Sequence, residues 1–281
     1  MHSPLPEHIR TRYNSIWAQI PDVRLHDNNT FGHLTVDVQN HTRFRIQYEN
    51  AELVVWPDRD CVELIHSAPA EAALPDFYLI ERIGYPFLRL LSGYTLLHCG
   101  AVMCTDGCIG LLSQPGVGKS TLTAAILNTL PASKLVSDDI LPVFCDDNKV
   151  IATPSASYIA MRHALFDHSP FVVSISDLGL KKALRVHPQR CLTTPKPLKS
   201  LVILHADNQI GPIHPAKSKS SVLADILRQQ MTLSNPPPDF VRAQFGAIMQ
   251  IVEHIPIFEL SISMHSAQNV KEAVAQILQA A

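Results

Sequence analysis

The sequence predicts an α/β protein, with a mixed, twisted sheet and its helices preceded by a β-rich N-terminal segment. Three observations point there. Short runs in the first third alternate apolar and polar residues, as half-buried strands do. An apolar strand, Cys108–Leu112, runs through a glycine-containing loop into a helix with few breaking residues. The strands Thr95–Met103 and Cys108–Leu112 are separated only by a short turn at Asp106-Gly107, which makes them antiparallel and excludes a purely parallel sheet.

The elements follow in order. Phe31 to Val38, Arg43 to Tyr48, Leu53 to Trp56 and Cys61 to Ile65 read as strands, with Glu49-Asn50 as a turn between the second and third. Pro69 to Pro75 breaks the pattern and sets the expected boundary between a β-rich segment or small domain, 1–72, and a main domain, 73–281. Phe77, Ile80, Ile83, Phe87, Leu88 and Leu91 recur at helical spacing, so Asp76 to Leu91 is a helix that stops at Ser92-Gly93 and bends at Pro86. The two strands of the hairpin come next, then a helix over Lys119–Leu130 and a short strand, Lys134–Val136. Ile140–Phe144 and Lys149–Ile151 form a hairpin around Asp146-Asp147. Pro154 to Pro197 has no clear period. Leu201–Leu204 is an apolar strand, Ser221–Met231 and Asp239–His254 are helices, Pro256–Leu260 is a strand and Ala267–Leu278 is the last helix.

Composition narrows the function. The chain has 281 residues, 46% hydrophobic and 17% charged, enough to build a sizeable core and too apolar for a disordered chain. A formal net charge of -2 is not that of a bulk nucleic-acid binder. No run approaches the roughly 18 apolar residues of a membrane span, and the opening MHSPLPEHIR has no basic stretch followed by an apolar core. A cytoplasmic protein that binds neither nucleic acid nor membrane is therefore expected. The six cysteines form no C-x-x-C pair and read as reduced thiols. His163 and His168 are five apart, off the spacing of two zinc ligands on one helix face.

The strongest chemical signal is Ser113-Gln114-Pro115-Gly116-Val117-Gly118-Lys119-Ser120, set between a strand and a helix as a P-loop requires. Gly116 and Gly118 let successive N–H groups turn inward toward phosphate oxygens, and the helix start adds its partial positive charge. Lys119 would reach the β- and γ-phosphates of ATP, and the Ser120 hydroxyl would meet Mg²⁺. The full pattern begins with Gly, where this chain has Ser113. Asp138 and Asp139 follow the next strand, where a Walker-B carboxylate holds metal or orients a nucleophile. Adjacent side chains on a strand point to opposite faces, so either the strand has ended there or only one acid reaches the phosphates. His98 stands in an otherwise apolar run, either as a core histidine with a satisfied bond or as a partner that tunes one of the acids as a base.

The order His98-x-Gly100, hairpin, S-x-x-G-x-G-K-S, Ser137-Asp138-Asp139 resembles the catalytic core of the HPr kinase/phosphorylase family, and more closely its smaller relatives in bacterial peptide-modification clusters, including lasso-peptide precursor kinases. The resemblance covers about residues 96–143, with a looser match at Ile255 to Leu260 and the helix after it. It implies a P-loop kinase core of the HPr kinase/phosphoenolpyruvate carboxykinase type. It assigns ATP binding to residues 113–121, with Ser113, Gln114, Pro115, Gly116, Val117, Gly118, Lys119, Ser120 and Thr121 forming the loop and its first helical turn. By the same resemblance Asp138 accepts the proton of the acceptor hydroxyl, Asp139 supports the metal or His98, and Ser120 and Asp139 hold Mg²⁺. Arg162 and Lys182, chosen from Arg162, Lys181, Lys182 and Arg185, are the expected basic residues completing the site. Thr121 stands where the classical enzymes have an acid, and the E-x-R-G-x-G segment linked to the reverse reaction is absent, with Tyr158 to Arg162 in its place. The expected activity is transfer of the γ-phosphoryl group to a Ser or Thr of a small protein or ribosomal precursor peptide. A kinase of small-molecule hydroxyls and a non-catalytic ATP-binding regulator or assembly factor are the alternatives, and a homo-oligomer stays open.

Overall fold

A computed structural model describes residues 24–27, 34–39, 43–48, 51–56, 61–66, 76–105, 107–162, 165–233, 236–264 and 266–280. The expected Glu49-Asn50 turn, the break at Pro69 to Pro75, Phe31 to His33, Asp106, His163 and the N-terminal decapeptide lie outside them. The described residues divide into two compact units, one within Leu97–Gln230 and Ile248–Ala281, the other within Pro4–Leu96 and Met231–Ala247.

The second unit holds an antiparallel meander of β1 (Arg24–Asp27), β2 (Leu34–Gln39), β3 (Arg43–Tyr48), β4 (Ala51–Trp56) and β5 (Cys61–His66). Each strand pairs with the next because the connections between them are short. Helix α1 begins with Asp76–Leu79 and ends with Tyr85–Leu91, and between them Ile80–Gly84 is wound as a π-helix. Gly84 lies in that wide turn, where a Cβ would stand 2.6 Å from Val62 Cγ1. The missing side chain therefore lets the helix lie close on the meander, with Phe87 edge-on to Phe44 at 6.2 Å.

The remaining strands are β6 (Thr95–Met103), β7 (Cys108–Leu112), β8 (Lys134–Ser137), β9 (Ile140–Asp146), β10 (Lys149–Ala152), β11 (Tyr158–Met161), β12 (Val172–Asp177), β13 (Lys182–Val186), β14 (Lys196–Ala206), β15 (His214–Pro215), the two-residue β16 (Gln230–Met231) and β17 (Ile257–Ile262), nearly all within the first unit. Its helices are α2 (Lys119–Thr129), α3 (Lys219–Gln229), α4 (Pro238–His254), which runs on from the second unit, and α5 (Ala267–Ala280). The large sheet runs β10-β9-β6-β7-β14-β17-β15, and β10 also pairs with β14. It is mixed: β6 and β7 are antiparallel, while β14 is parallel to both β7 and β17. A separate antiparallel sheet has the order β11-β13-β12.

Strand alternation sends successive side chains to opposite cores. On one face Ile109, Leu111, Val202 and Leu204 pack with Leu122, Ile126, Val274 and Ile277 of α2 and α5. On the other, Cys108, Leu112, Leu201 and Ile203 pack with Val222 and Ile226 of α3 and with Ile248 and Ile251. Helix α2 buries Leu122, Thr123, Ala124, Ala125, Ile126 and Leu127, so it is enclosed nearly all round, and fixing it fixes the loop that starts it. Its far end is held by Arg190, whose guanidinium donates to the carbonyls of Leu127 (2.6 Å), Leu130 (3.0 Å) and Ser133 (2.9 Å). A cation there satisfies end carbonyls and opposes the helix dipole.

Candidate functional site

The loop from Ser113 to Gly118 leaves the end of β7 and enters α2 at Lys119. Gly116 (φ 86°) and Gly118 (φ 125°) both occupy the left-handed region that side chains disfavour. Nothing lies within 4 Å of where a Gly116 Cβ would stand, so the loop is open there. No side chain caps the helix start, and its first N–H groups remain directed at whatever enters the loop. Lys119 is 6% exposed, and its ammonium donates to the Ser113 carbonyl (2.6 Å), the Ser113 hydroxyl (3.3 Å) and the Gln114 carbonyl (3.4 Å). Ser113 therefore has a local role: it replaces the first glycine of the usual pattern and supplies two of the three oxygens around the lysine. Burial pulls the Lys119 pKa down to about 8, while Cys99 and Asp138 nearby act to raise it and Lys181 to lower it further.

The strand does end before the acids. β8 stops at Ser137 and β9 starts at Ile140, so Asp138-Asp139 form the corner between them. Ser137 Oγ donates to the Cys99 carbonyl at 3.0 Å, and the Cys99 N–H donates to the Asp139 carbonyl at 3.0 Å, which pins the corner to β6. Asp138 is 2% exposed, and its Oδ2 accepts the Ala160 N–H at 2.8 Å. Asp139 is the more open of the two, and its Oδ1 lies 2.8 Å from His98 Nε2. On the other side of the ring, His98 Nδ1 lies 3.1 Å from Gln229 Oε1, at the end of α3. Gly100 explains the His-x-Gly spacing: a Cβ there would sit 2.7 Å from Thr123 Oγ1 and 3.3 Å from the Asp138 carbonyl. Only glycine lets α2 lie this close to β6.

These groups meet in a cleft of about 270 Å³ lined by His98, Pro115, Gly116, Gly118, Lys119, Ser120, Thr121, Asp139, Ala160, Met161, Arg162 and Lys181. Of the expected site residues, Ser113, Gln114 and Val117 line a second cleft on the other side of the loop, with His205, Asp225, Arg228 and Gln229 among its other walls. Asp138 lies behind the first cleft rather than on its surface. Arg162 lines it, and Lys182 does not. The Lys182 ammonium is 2.9 Å from Asp167, and the neighbouring Lys181, at the tip joining β12 to β13, takes the place on the cleft wall. Gln229 carried no sequence signal, since the residues it joins are 131 positions apart.

No protein-family model matches the chain. No curated protein matches it either. Among solved structures it is similar to the HPr(Ser) kinase/phosphatase from Coxiella burnetii, at 10% identity, over 66% of this chain and 88% of that one, with a TM-score of 0.38. No described helix is long and apolar enough to cross a membrane.

Proposed function

We propose that this chain is a Mg²⁺- and ATP-dependent phosphotransferase of the HPr kinase-like kind. It would move the γ-phosphoryl group of ATP to a Ser or Thr hydroxyl of a small protein or ribosomally made precursor peptide in the cytoplasm. The observation that carries the reading is the meeting, in one cleft, of a glycine-shaped helix start bearing Lys119 with the Asp139–His98 pair. An anion cradle alone binds nucleotide. An acid–histidine pair beside it adds a group able to take a proton from an acceptor.

The residues fit the metal as well as the nucleotide. Ser120 and Asp139 are hard oxygen donors on the same cleft, and no three His, Cys, Asp or Glu side chains converge among the described residues. That donor set suits an ion shared with substrate phosphates rather than one caged by protein. When bound, the ion supplies charge neutralisation at the phosphoryl oxygens. The loop amides and Lys119 hold the same oxygens from the protein side. His98 and Asp139 receive the acceptor's proton. Asp138, behind the surface, helps keep Lys119 charged. This division gives the open position to Asp139, whereas the family resemblance assigns the proton to Asp138. Arg162 and Lys181 add positive charge on the second wall.

The test is transfer from γ-labelled ATP with Mg²⁺ to the small proteins and short peptides encoded beside this gene, with Lys119→Ala as control. A labelled Ser or Thr that disappears in the control is the expected result. Label moving only to a small molecule would select the small-molecule kinase, and saturable Mg²⁺–ATP binding without transfer would select the regulator.

A further inference from the structure

We infer that Gln229 is a positioning residue for His98: its side-chain amide holds the imidazole in the orientation that turns Nε2 to Asp139. The inference rests on the phosphotransferase reading for its meaning and on geometry for its substance. His98 lies one residue beyond Cys99, the last β6 position paired with β7, where Cys99 faces Leu112. The two-residue strand β16, which starts at Gln230 directly after Gln229, pairs with β6 and brings the end of α3 to the strand that carries His98. An imidazole gripped at one nitrogen still swings about its side-chain torsions, whereas a second grip fixes both its plane and which nitrogen faces the reacting groups. The second grip comes from the last residue of α3. Val222 and Ile226, seven and three residues earlier and buried in the core, anchor that helix. The order is thus Asp139 Oδ1, 2.8 Å, His98 Nε2, then Nδ1, 3.1 Å, Gln229 Oε1. The contact at Nδ1 is to the amide oxygen, so the ring donates to Gln229, and a carboxylate oxygen at the same place would accept the same bond. A bond to the second nitrogen is how an acid–histidine pair is kept in register in general, and here it comes from a part of the chain remote from every motif.

Gln229 is only half-buried and lines the second cleft, so replacing it opens no void in the core. The test uses the full chain and three variants: Gln229→Leu removes the polar contact at similar size, Gln229→Glu restores an oxygen at the same place, and His98→Asn identifies the ring signals of His98. Two readouts are taken, steady-state kinetics with Mg²⁺–ATP and the long-range ¹H–¹⁵N correlations of the His98 ring. The expected result in Gln229→Leu is a kcat roughly tenfold lower, about the effect of one hydrogen bond, with KM for ATP within about twofold. The His98 ring nitrogens shift in the same variant, and Gln229→Glu recovers most of both. Unmoved ring signals in Gln229→Leu would overturn the inference, as would kcat and KM falling together or a Gln229→Glu no better than Gln229→Leu. If the wild-type chain neither transferred phosphate nor hydrolysed ATP, the phosphotransferase reading would fall by itself. The ring signals would then still decide whether Gln229 holds His98.

Discussion

The two walls of the cleft are built from different materials. The glycine-loop wall is mostly backbone: two glycines at positive φ, a helix start without a side-chain cap, and a lysine whose ammonium rests on loop oxygens. It is backed by α2, enclosed on nearly all sides, and offers little freedom to move. The other wall is side chains on a small sheet. Arg162 follows β11, and Lys181 stands at a hairpin tip beside Leu180, which is 88% exposed. Edge strand β12 has most of its residues at least partly open to solvent. A rigid backbone wall suits a ligand that is the same in every turnover, such as a nucleotide's phosphates. An adaptable wall of long cations suits, on the proposed reading, an acceptor that varies. The corner Asp138-Asp139 joins them: Asp138 accepts the Ala160 N–H from the second wall, and Asp139 reaches His98 on the first.

The sharpest way to break this comparison is to remove each acid separately. Asp139→Asn is expected to lower kcat by roughly a hundredfold, the scale of losing a general base, with ATP affinity changed only a few-fold. Asp138→Asn keeps an oxygen for the Ala160 N–H but removes a negative charge near Lys119, so its main effect should be weaker nucleotide binding. Calorimetric ATP titration beside single-turnover kinetics separates the two. Should Asp138→Asn abolish transfer with binding intact while Asp139→Asn stays active, the proton belongs to the buried acid and the two roles are exchanged.

The same contrast explains what could be read from sequence. β6 and β7 have the expected limits because uninterrupted apolar runs are closed by a hairpin turn only a few residues long. The glycine loop before α2 and the acidic corner after β8 are local patterns, so their positions between elements are legible from spacing alone. The small sheet was not legible. Its strands are four to six residues long; β12 and β13 carry Ser, Lys, Arg and Asp and β12 buries no residue, so they read as loop, while β11 is buried throughout but only four residues long. β14 was read only at its apolar middle, Leu201 to Leu204, although the strand runs Lys196–Ala206 with exposed ends. The preference for Lys182 over Lys181 is the same difficulty at single-residue scale. Lys181 closes the turn and Lys182 opens β13, so no periodicity separates them; Lys182 pairs with Asp167 while Lys181 lines the cleft.

That pair gives a smaller test. Lys182 is about half-exposed, and its contact with Asp167 is screened by solvent, so the pair contributes at most about 1 kcal/mol. Lys182→Ala should leave transfer within about twofold and stability nearly unchanged. Lys181→Ala should lower kcat/KM by several-fold, because it removes a cation from the cleft wall. Equal effects of the two substitutions would mean that the second wall acts only through its overall charge.

The smallest expected effect tests whether the walls are coupled electrically. Lys119 has its pKa pulled down to about 8, first by burial and in part by Lys181 across the cleft. An unfolded lysine keeps an ordinary value, about 10.4, so between these limits the unfolded chain binds more protons, and this group's contribution to stability rises with pH across that window. Phosphate binding runs the other way. It favours the charged amine, so ATP affinity should be level below about pH 8 and fall above it, with a proton taken up on binding. Lys119→Arg, charged throughout, should flatten that decline. Lys181→Ala removes a repelling charge, so the fall should begin at higher pH than in the wild type. Calorimetric titrations in buffers of different ionisation enthalpy measure both the affinity and the proton uptake. A decline that stays at the same pH in Lys181→Ala would mean that burial alone sets the lysine and that the two walls act on the phosphates independently.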